Sequence, residues 1–202
     1  MRQKKNRQNK IGIVVDTDIV RAASDDMSNN DNKITAKQCS LFLLTMQEQK
    51  LELVFSQQIY EEWKKKRENE KQYMSCFSAN WLASMYARKL VRNVTPQQSG
   101  LKDKVLQEFK LEEEKSDVSK DFHLIEAALA ADKTIASYND KERDKFKQVS
   151  IEQIKNIVWR NPKDEDVIEW LKEGAPPKDE YKLGFILKTE RNMKLYFQKT
   201  DQ

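Results

Sequence analysis

Ile11-Gly12-Ile13-Val14-Val15 is an uninterrupted apolar run that stops abruptly at Asp16-Thr17-Asp18. A strand with one face in water alternates polar and apolar residues, whereas a strand covered on both faces of a parallel sheet reads as a continuous apolar block. The run therefore predicts a buried parallel strand that emerges at its carboxyl end directly into two acids. Open α/β sheets bind their ligands at that end. Parallel neighbours also need a crossover between them, so the rest of the chain must alternate strands with helices.

The remaining pattern meets that demand. Residues 34–50 have helical composition, with Leu41, Leu44 and Met46 among the apolar positions, and residues 51–55 read as a second strand. Ser56 is placed to N-cap the next helix, which continues through Ile59 and Trp63 and carries Glu61 and Glu62 in its second turn. Residues 76–91 read as a helix through Phe77, Trp81, Met85 and Leu90. Residues 101–109 form a short amphipathic helix, with the acidic run Glu112-Glu113-Glu114 ending it in solvent. The most regular helix spans 118–132, followed by a strand over 134–137 and a last strand over 157–159, closed by the turn signal Asn161-Pro162. Residues 164–173 make a helix stopped by Gly174 and Pro176-Pro177, and a tail after Gly184 alternates basic and apolar residues, most strand-like at 194–197. The expected class is α/β with a central parallel sheet.

Length and composition limit the answer without naming it. At 202 residues and 23.9 kDa one hydrophobic core suffices. The organisation expected is a flexible basic N-terminus over residues 1–10, an α/β unit over 11–162, and a C-terminal helix and basic/apolar tail over 163–202. Apolar content is only 38% and mean hydropathy −0.87, yet the apolar residues gather into blocks, which argues for folding over disorder. A net charge of +4 with 35% charged residues describes a solvated, mixed surface. Cys39 and Cys76 stand far apart without the close-spaced company of a zinc site, and are expected to be ordinary buried or half-buried thiols. No apolar stretch approaches the ~20 residues that span a bilayer. The expectation is a cytoplasmic protein with no membrane partner.

Asp16, Glu62, Asp121 and Asp140 each fall where a predicted strand ends or a helix begins, positions that a parallel sheet gathers on one rim. Carboxylates brought together repel unless a cation neutralises them, and Mg²⁺ or Mn²⁺ takes such oxygen ligands while keeping water. Asp121, read as lying in a first helical turn, gains roughly 0.3–1 kcal/mol for its ionised form from the macrodipole.

These segments carry a resemblance. Val14-Val15-Asp16-Thr17-Asp18 resembles the opening strand motif of PIN-domain nucleases, and Ser56-Gln57-Gln58-Ile59-Tyr60-Glu61-Glu62 their serine-to-glutamate segment. Asp121-Phe122-His123-Leu124-Ile125-Glu126-Ala127-Ala128 resembles their third-acid helix, and Ile135-Ala136-Ser137-Tyr138-Asn139-Asp140 their final strand and acid. The likeness covers about residues 11 to 162, and the toxin-type, virulence-associated ribonucleases are the members it resembles. It implies a three-layer α/β/α sandwich, a Mg²⁺ or Mn²⁺ cofactor, and endonucleolytic hydrolysis of RNA. It also implies partners of the toxin kind, an antitoxin or other regulatory protein and a second copy of the chain. Asp16, Glu62 and Asp121 would be the first three acids. The fourth belongs two residues after the Ser/Thr, where this chain has Asn139; either Asp140 takes the role one step later or the site is weakened. Asp18 and Ser137 would be auxiliary.

Plainer readings compete at each position. An apolar run ending in Asp, or a Glu-Glu pair on a helix, is common in proteins with no active site there. His123 lies two residues from Asp121, so on a helix the two point about 200° apart, and a structural or hydrogen-bonding histidine is expected. Trp63, Trp81, Trp159 and Trp170 are expected to fill core. The cluster Lys64, Lys65, Lys66 and Arg67 reads as a solvated helix face; its functional alternative is phosphate contact through Lys64, Lys65 and Arg67. Two other functions remain open. Asp16-Thr17-Asp18-Ile19-Val20 also resembles the opening of haloacid-dehalogenase-like phosphatases, with Asp16 as nucleophile, Asp18 as acid/base and Ser56 holding phosphate. A PIN-like scaffold without metal, binding nucleic acid or protein, is the non-enzymatic alternative that Asn139 favours.

Overall fold

The computed structural model describes residues 10–24, 31–64, 74–97 and 100–185. Its first strand, β1 (Gly12–Val15), is buried along its whole length, with Ile13, Val14 and Val15 at 0% exposure. Each such side chain contributes about 1.5–3 kcal/mol by leaving water. β1 is covered on both sides because it is central. β2 (Glu52–Phe55) and β4 (Thr134–Ala136) flank it, and β3 (Val91–Asn93) and β5 (Val158–Arg160) lie outside them. All pairings are parallel, with Ile13 opposite Leu53, Val14 opposite Ile135, and Ile135 opposite Trp159.

Among the described residues the helices are α1 (Thr17–Ala22), α2 (Asp31–Glu48), α3 (Gln57–Lys64), α4 (Cys76–Ala87), α5 (Leu101–Gln107), α6 (Glu112–Leu129), α7 (Asp140–Lys147), α8 (Glu152–Lys155) and α9 (Val167–Lys172). They flank the sheet in a three-layer α/β/α sandwich, the architecture expected from the alternation. In the C-terminal segment α9 packs on α2, and Val167, Trp170, Leu171 and Leu183 join the same core as the sheet. All four tryptophans lie in that core, as expected, and Cys39 is buried, but Cys76 is exposed at the start of α4.

The strand order decides where a site can be. From β1 the chain moves outward through β2 and β3, then crosses back to β4 and moves outward the other way to β5. The reversal opens a crevice at the carboxyl ends of β1 and β4. Asp16 and Ser137 are the residues immediately after those strands, and the Asp16 amide donates to the Ala136 carbonyl at 2.9 Å as the last rung between them.

Several elements depart from the sequence reading. The helix expected over 76–91 ends at Ala87, and Lys89 turns the chain with φ of 57° so that β3 follows. The Leu90 amide reaches back to the Met85 carbonyl at 2.9 Å, a C-terminal capping bond made without glycine. The helix expected to begin near 118 begins at Glu112, whose acidic run opens α6 instead of closing α5. Asp121 therefore sits well inside α6, and the stabilisation expected for it from a helix N-terminus belongs to Glu112, Glu113 and Glu114. The expected flexible N-terminus, the strand-like stretch at 194–197, Lys65, Lys66 and Arg67 lie outside the described residues.

Candidate active site

Asp16 reaches its position because β1 ends there: its backbone is extended and its side chain, free of any capping bond to α1, turns into the crevice. It is 7% exposed and accepts a 2.7 Å hydrogen bond from the Ser137 hydroxyl, which in turn accepts from the Asn139 amide at 3.1 Å. Burial pushes the Asp16 carboxyl up to about 7; Ser137 opposes this, and the charges of Asp18, Asp121 and Glu62 add to it. Those four acids come from the exit of β1, α1, α3 and α6. The topology thus brings Asp16, Asp18, Glu62 and Asp121 together, and Ser137 with them.

Glu62 comes from the second turn of α3, whose start is fixed by the Ser56 hydroxyl accepting from the Ile59 amide at 3.2 Å. That cap was expected. His123 Nε2 stands 2.7 Å from Glu62 Oε2, a close charge contact in which neither atom has a well-aligned hydrogen bond. His123 Nδ1 lies 2.9 Å from the Lys120 carbonyl. A carbonyl and a carboxylate both only accept, so these two contacts favour the ring with both nitrogens protonated. Burial lowers the His123 pKa, but Glu62 and the Lys120 carbonyl outweigh it and raise the net value. Burial likewise acts to raise Glu62, and His123, Thr17 and Arg21 overcome it, holding that carboxyl below its ordinary range. The Arg21 guanidinium also donates to the Glu62 backbone carbonyl at 3.3 Å, tying α1 to α3. His123 is thus the hydrogen-bonding histidine expected, and its work is to keep Glu62 ionised.

The fourth acid is where sequence and structure diverge most. The Asp140 carboxylate accepts from the Asn161 side chain at 3.0 Å and pairs with Arg143 at 2.9 Å, and its side chain is half exposed. Asn139 N-caps α7, its side-chain oxygen accepting from the Glu142 amide at 3.4 Å. Glu142, in the first turn of α7 and not singled out from the sequence, turns to Asp121 and shares a hydrogen bond with it. Burial, that shared bond and the charges of Asp121 and Asp16 push Glu142 up to about 9, against the pull of Lys145. The acidic first turn of a helix after Ser-x-Asn was the available signal.

Of the other expected site residues, Lys64 lies over the Tyr60 ring at 3.8 Å. Lys65 and Arg67 lie outside the described residues. Ser56, buried and spent as a helix cap, is not presented as a phosphate holder.

Oxygen donors alone make up this pocket's ligand set, which suits a hard divalent cation and not a soft one. Two further observations fit such an ion. The Asp121 carboxyl adds to burial in pushing Glu142 well above the ordinary carboxylate range, a cost that a cation beside them would relieve. The Thr17 hydroxyl, 2% exposed beside Glu62, has no well-aligned hydrogen-bond partner. Among the described residues, no three His, Cys, Asp or Glu side chains stand at ligating distance from one point. An ion would have to draw the carboxyls inward. No membrane-crossing helix, long and apolar enough, occurs among the described residues. Compared with family models, curated proteins and solved structures, the chain matches none.

Proposed function

We propose that the protein is a Mg²⁺- or Mn²⁺-dependent endoribonuclease that cuts RNA at the carboxyl edge of its sheet. The observation that carries this reading is the set of carboxyls, Asp16 buried and the others half-buried, that meet at one crevice. Burial, opposed by Ser137 and aided by the charges of Asp18, Asp121 and Glu62, pushes Asp16 up to about 7, and burial together with Asp121 and Asp16 pushes Glu142 up to about 9. Acids crowded away from water are costly for a fold to keep, and such costs concentrate at functional sites.

Asp16, Glu62 and Asp121 would hold the cation. When bound, it would supply an activated water and neutralise charge developing on the phosphodiester. The chain's own groups do the orienting. Ser137 fixes the Asp16 carboxylate through its 2.7 Å hydrogen bond, and His123, 2.7 Å from Glu62, favours the ionised form of that carboxyl. Thr17 offers a further oxygen, and Arg21 braces α1 on α3. RNA as the substrate, the toxin-type role with a regulatory protein or second copy as partner, and a cytoplasmic setting rest on the resemblance of the four motifs.

The test is cleavage of mixed RNA and DNA substrates with Mn²⁺ or Mg²⁺. Wild type should cut single-stranded RNA, and Asp16→Asn and Asp121→Asn should not; undiminished cutting by either variant would defeat the assignment. A silent scaffold is favoured by one observation, the commitment of Asn139 to capping α7. On that reading RNA or a partner binds with no Mn²⁺ isotherm.

A further inference from the structure

We propose that Lys163, seated on the ring of Tyr138, binds a backbone phosphate of the RNA strand that reaches the crevice. The inference rests on the nuclease reading and adds to it a substrate contact on the β4–β5 side of the site.

Tyr138 stands at the lip of the crevice because it directly follows Ser137, whose hydroxyl bonds Asp16. It is tied at both ends. Its hydroxyl is 2.8 Å from the Thr35 hydroxyl of α2, and its carbonyl accepts from the Asn161 side chain at 3.1 Å. The same Asn161 nitrogen donates to Asp140 at 3.0 Å, so the loop after β5 is fastened to the loop after β4. The turn that follows Asn161 lays Lys163 across the ring, with Nζ 3.6 Å from its centroid. An aromatic face attracts an ammonium without neutralising its charge. What the ammonium lacks is an anion. Lys145, Lys172, Lys178 and Lys182 each pair with a carboxylate at 2.5 to 2.8 Å. Lys163 pairs with none among the described residues, although Asp164 is next in the chain. That carboxylate is spent on the Asn161 amide at 3.0 Å and on Arg160 and Arg143 at 3.3 and 3.8 Å. Lys163 is exposed, so its N–H donors are open to a ligand. A strand whose cleaved phosphate lies at Asp16 carries further phosphates to either side, and a lysine that neutralises one of them releases its counterions. Tyr138 is then a positioning residue, holding the lysine at the edge of the crevice.

The test is fluorescence-anisotropy binding of a labelled single-stranded RNA to the full chain in chelator, so that nothing is cut, over a series of salt concentrations. Each phosphate contact on a single strand contributes about −0.7 to the slope of log affinity against log salt. Lys163→Gln should therefore flatten the slope by about 0.7 and weaken binding about fivefold at about 0.1 M salt, equally for RNAs of different sequence. Lys163→Arg should keep the wild-type slope. Tyr138→Leu, which removes the ring and leaves the charge, should weaken binding about two- to fivefold with the slope kept, and Tyr138→Phe should match wild type. Lys172→Gln, whose lysine is paired with Glu169, should change neither quantity. An unchanged slope in Lys163→Gln, or an equal loss in Lys172→Gln, overturns the contact and leaves the nuclease reading standing. Tyr138→Leu equal to wild type removes the positioning role of the ring. A wild-type chain that binds no RNA overturns that reading and this inference together.

Discussion

The two ends of the sheet treat acidic residues in opposite ways. At the amino ends of the strands Glu52 and Asp132 face one guanidinium, Arg92, at 2.6 and 2.8 Å. Asp132 also accepts from the Gly12 amide at 2.7 Å, and Arg92 donates to the Lys10 carbonyl at 2.9 Å. Every acid there has a donor. At the carboxyl ends five acids, Asp16, Asp18, Glu62, Asp121 and Glu142, gather beside Arg21, His123 and Lys145, and two of the carboxyls are pushed up to about 7 and about 9. The amino edge is neutralised for stability; the carboxyl edge keeps a charge deficit that an added cation would fill.

The comparison can be broken or sharpened in order of effect. Asp16→Asn should reduce metal-dependent RNA cleavage by at least about a hundredfold, the scale on which one electrostatic contributor in a dry site counts. Gel-based cleavage rates read this directly. The same substitution should stabilise the protein in chelator. A carboxyl whose folded pKa lies above its unfolded value favours folding at low pH and loses that contribution as pH rises through the folded value. For Asp16 the loss runs from about 4 to about 7. Its removal at pH 8 is worth on the order of a few kcal/mol. Thermal melts at pH 8 should show Asp16→Asn above wild type, with the gap closing below pH 4.

Perturbing the opposite end should do the reverse. Gly12 admits no side chain, because a Cβ would stand 2.6 Å from Val54 Cγ2 between two central strands. Gly12→Ala should cost about 1–3 kcal/mol by overpacking, read as a lower urea midpoint, with cleavage per folded molecule unchanged. Arg92→Ala should cost about 1 kcal/mol, a modest figure because the guanidinium is a third exposed. Its loss should not move Mn²⁺ affinity.

The difference between the ends also shows what a sequence can disclose. β1 was legible because five apolar residues in a row admit few other structures, and Asp16 followed from the end of that strand, whereas Asp121, read in a first helical turn, lies well inside α6. β3 was not: it is three residues long, partly exposed, and reached through a lysine at positive φ with no glycine or proline to mark the turn. The start of α6 was missed because an acidic triplet reads equally as a helix opening or a solvated loop. Asp140 and Glu142 differ by two positions on one helix, and only the packing of α7 against α6 decides which carboxyl turns inward.

The central claim is that the carboxyl edge is completed by a divalent cation, and ligand-induced stabilisation measures that without any assumption about substrate. Melting the wild-type chain at pH 8 with millimolar Mn²⁺ and again with chelator should give a rise of several degrees, absent in Asp16→Asn and retained in Arg92→Ala. An identical melting temperature in both conditions would contradict the account.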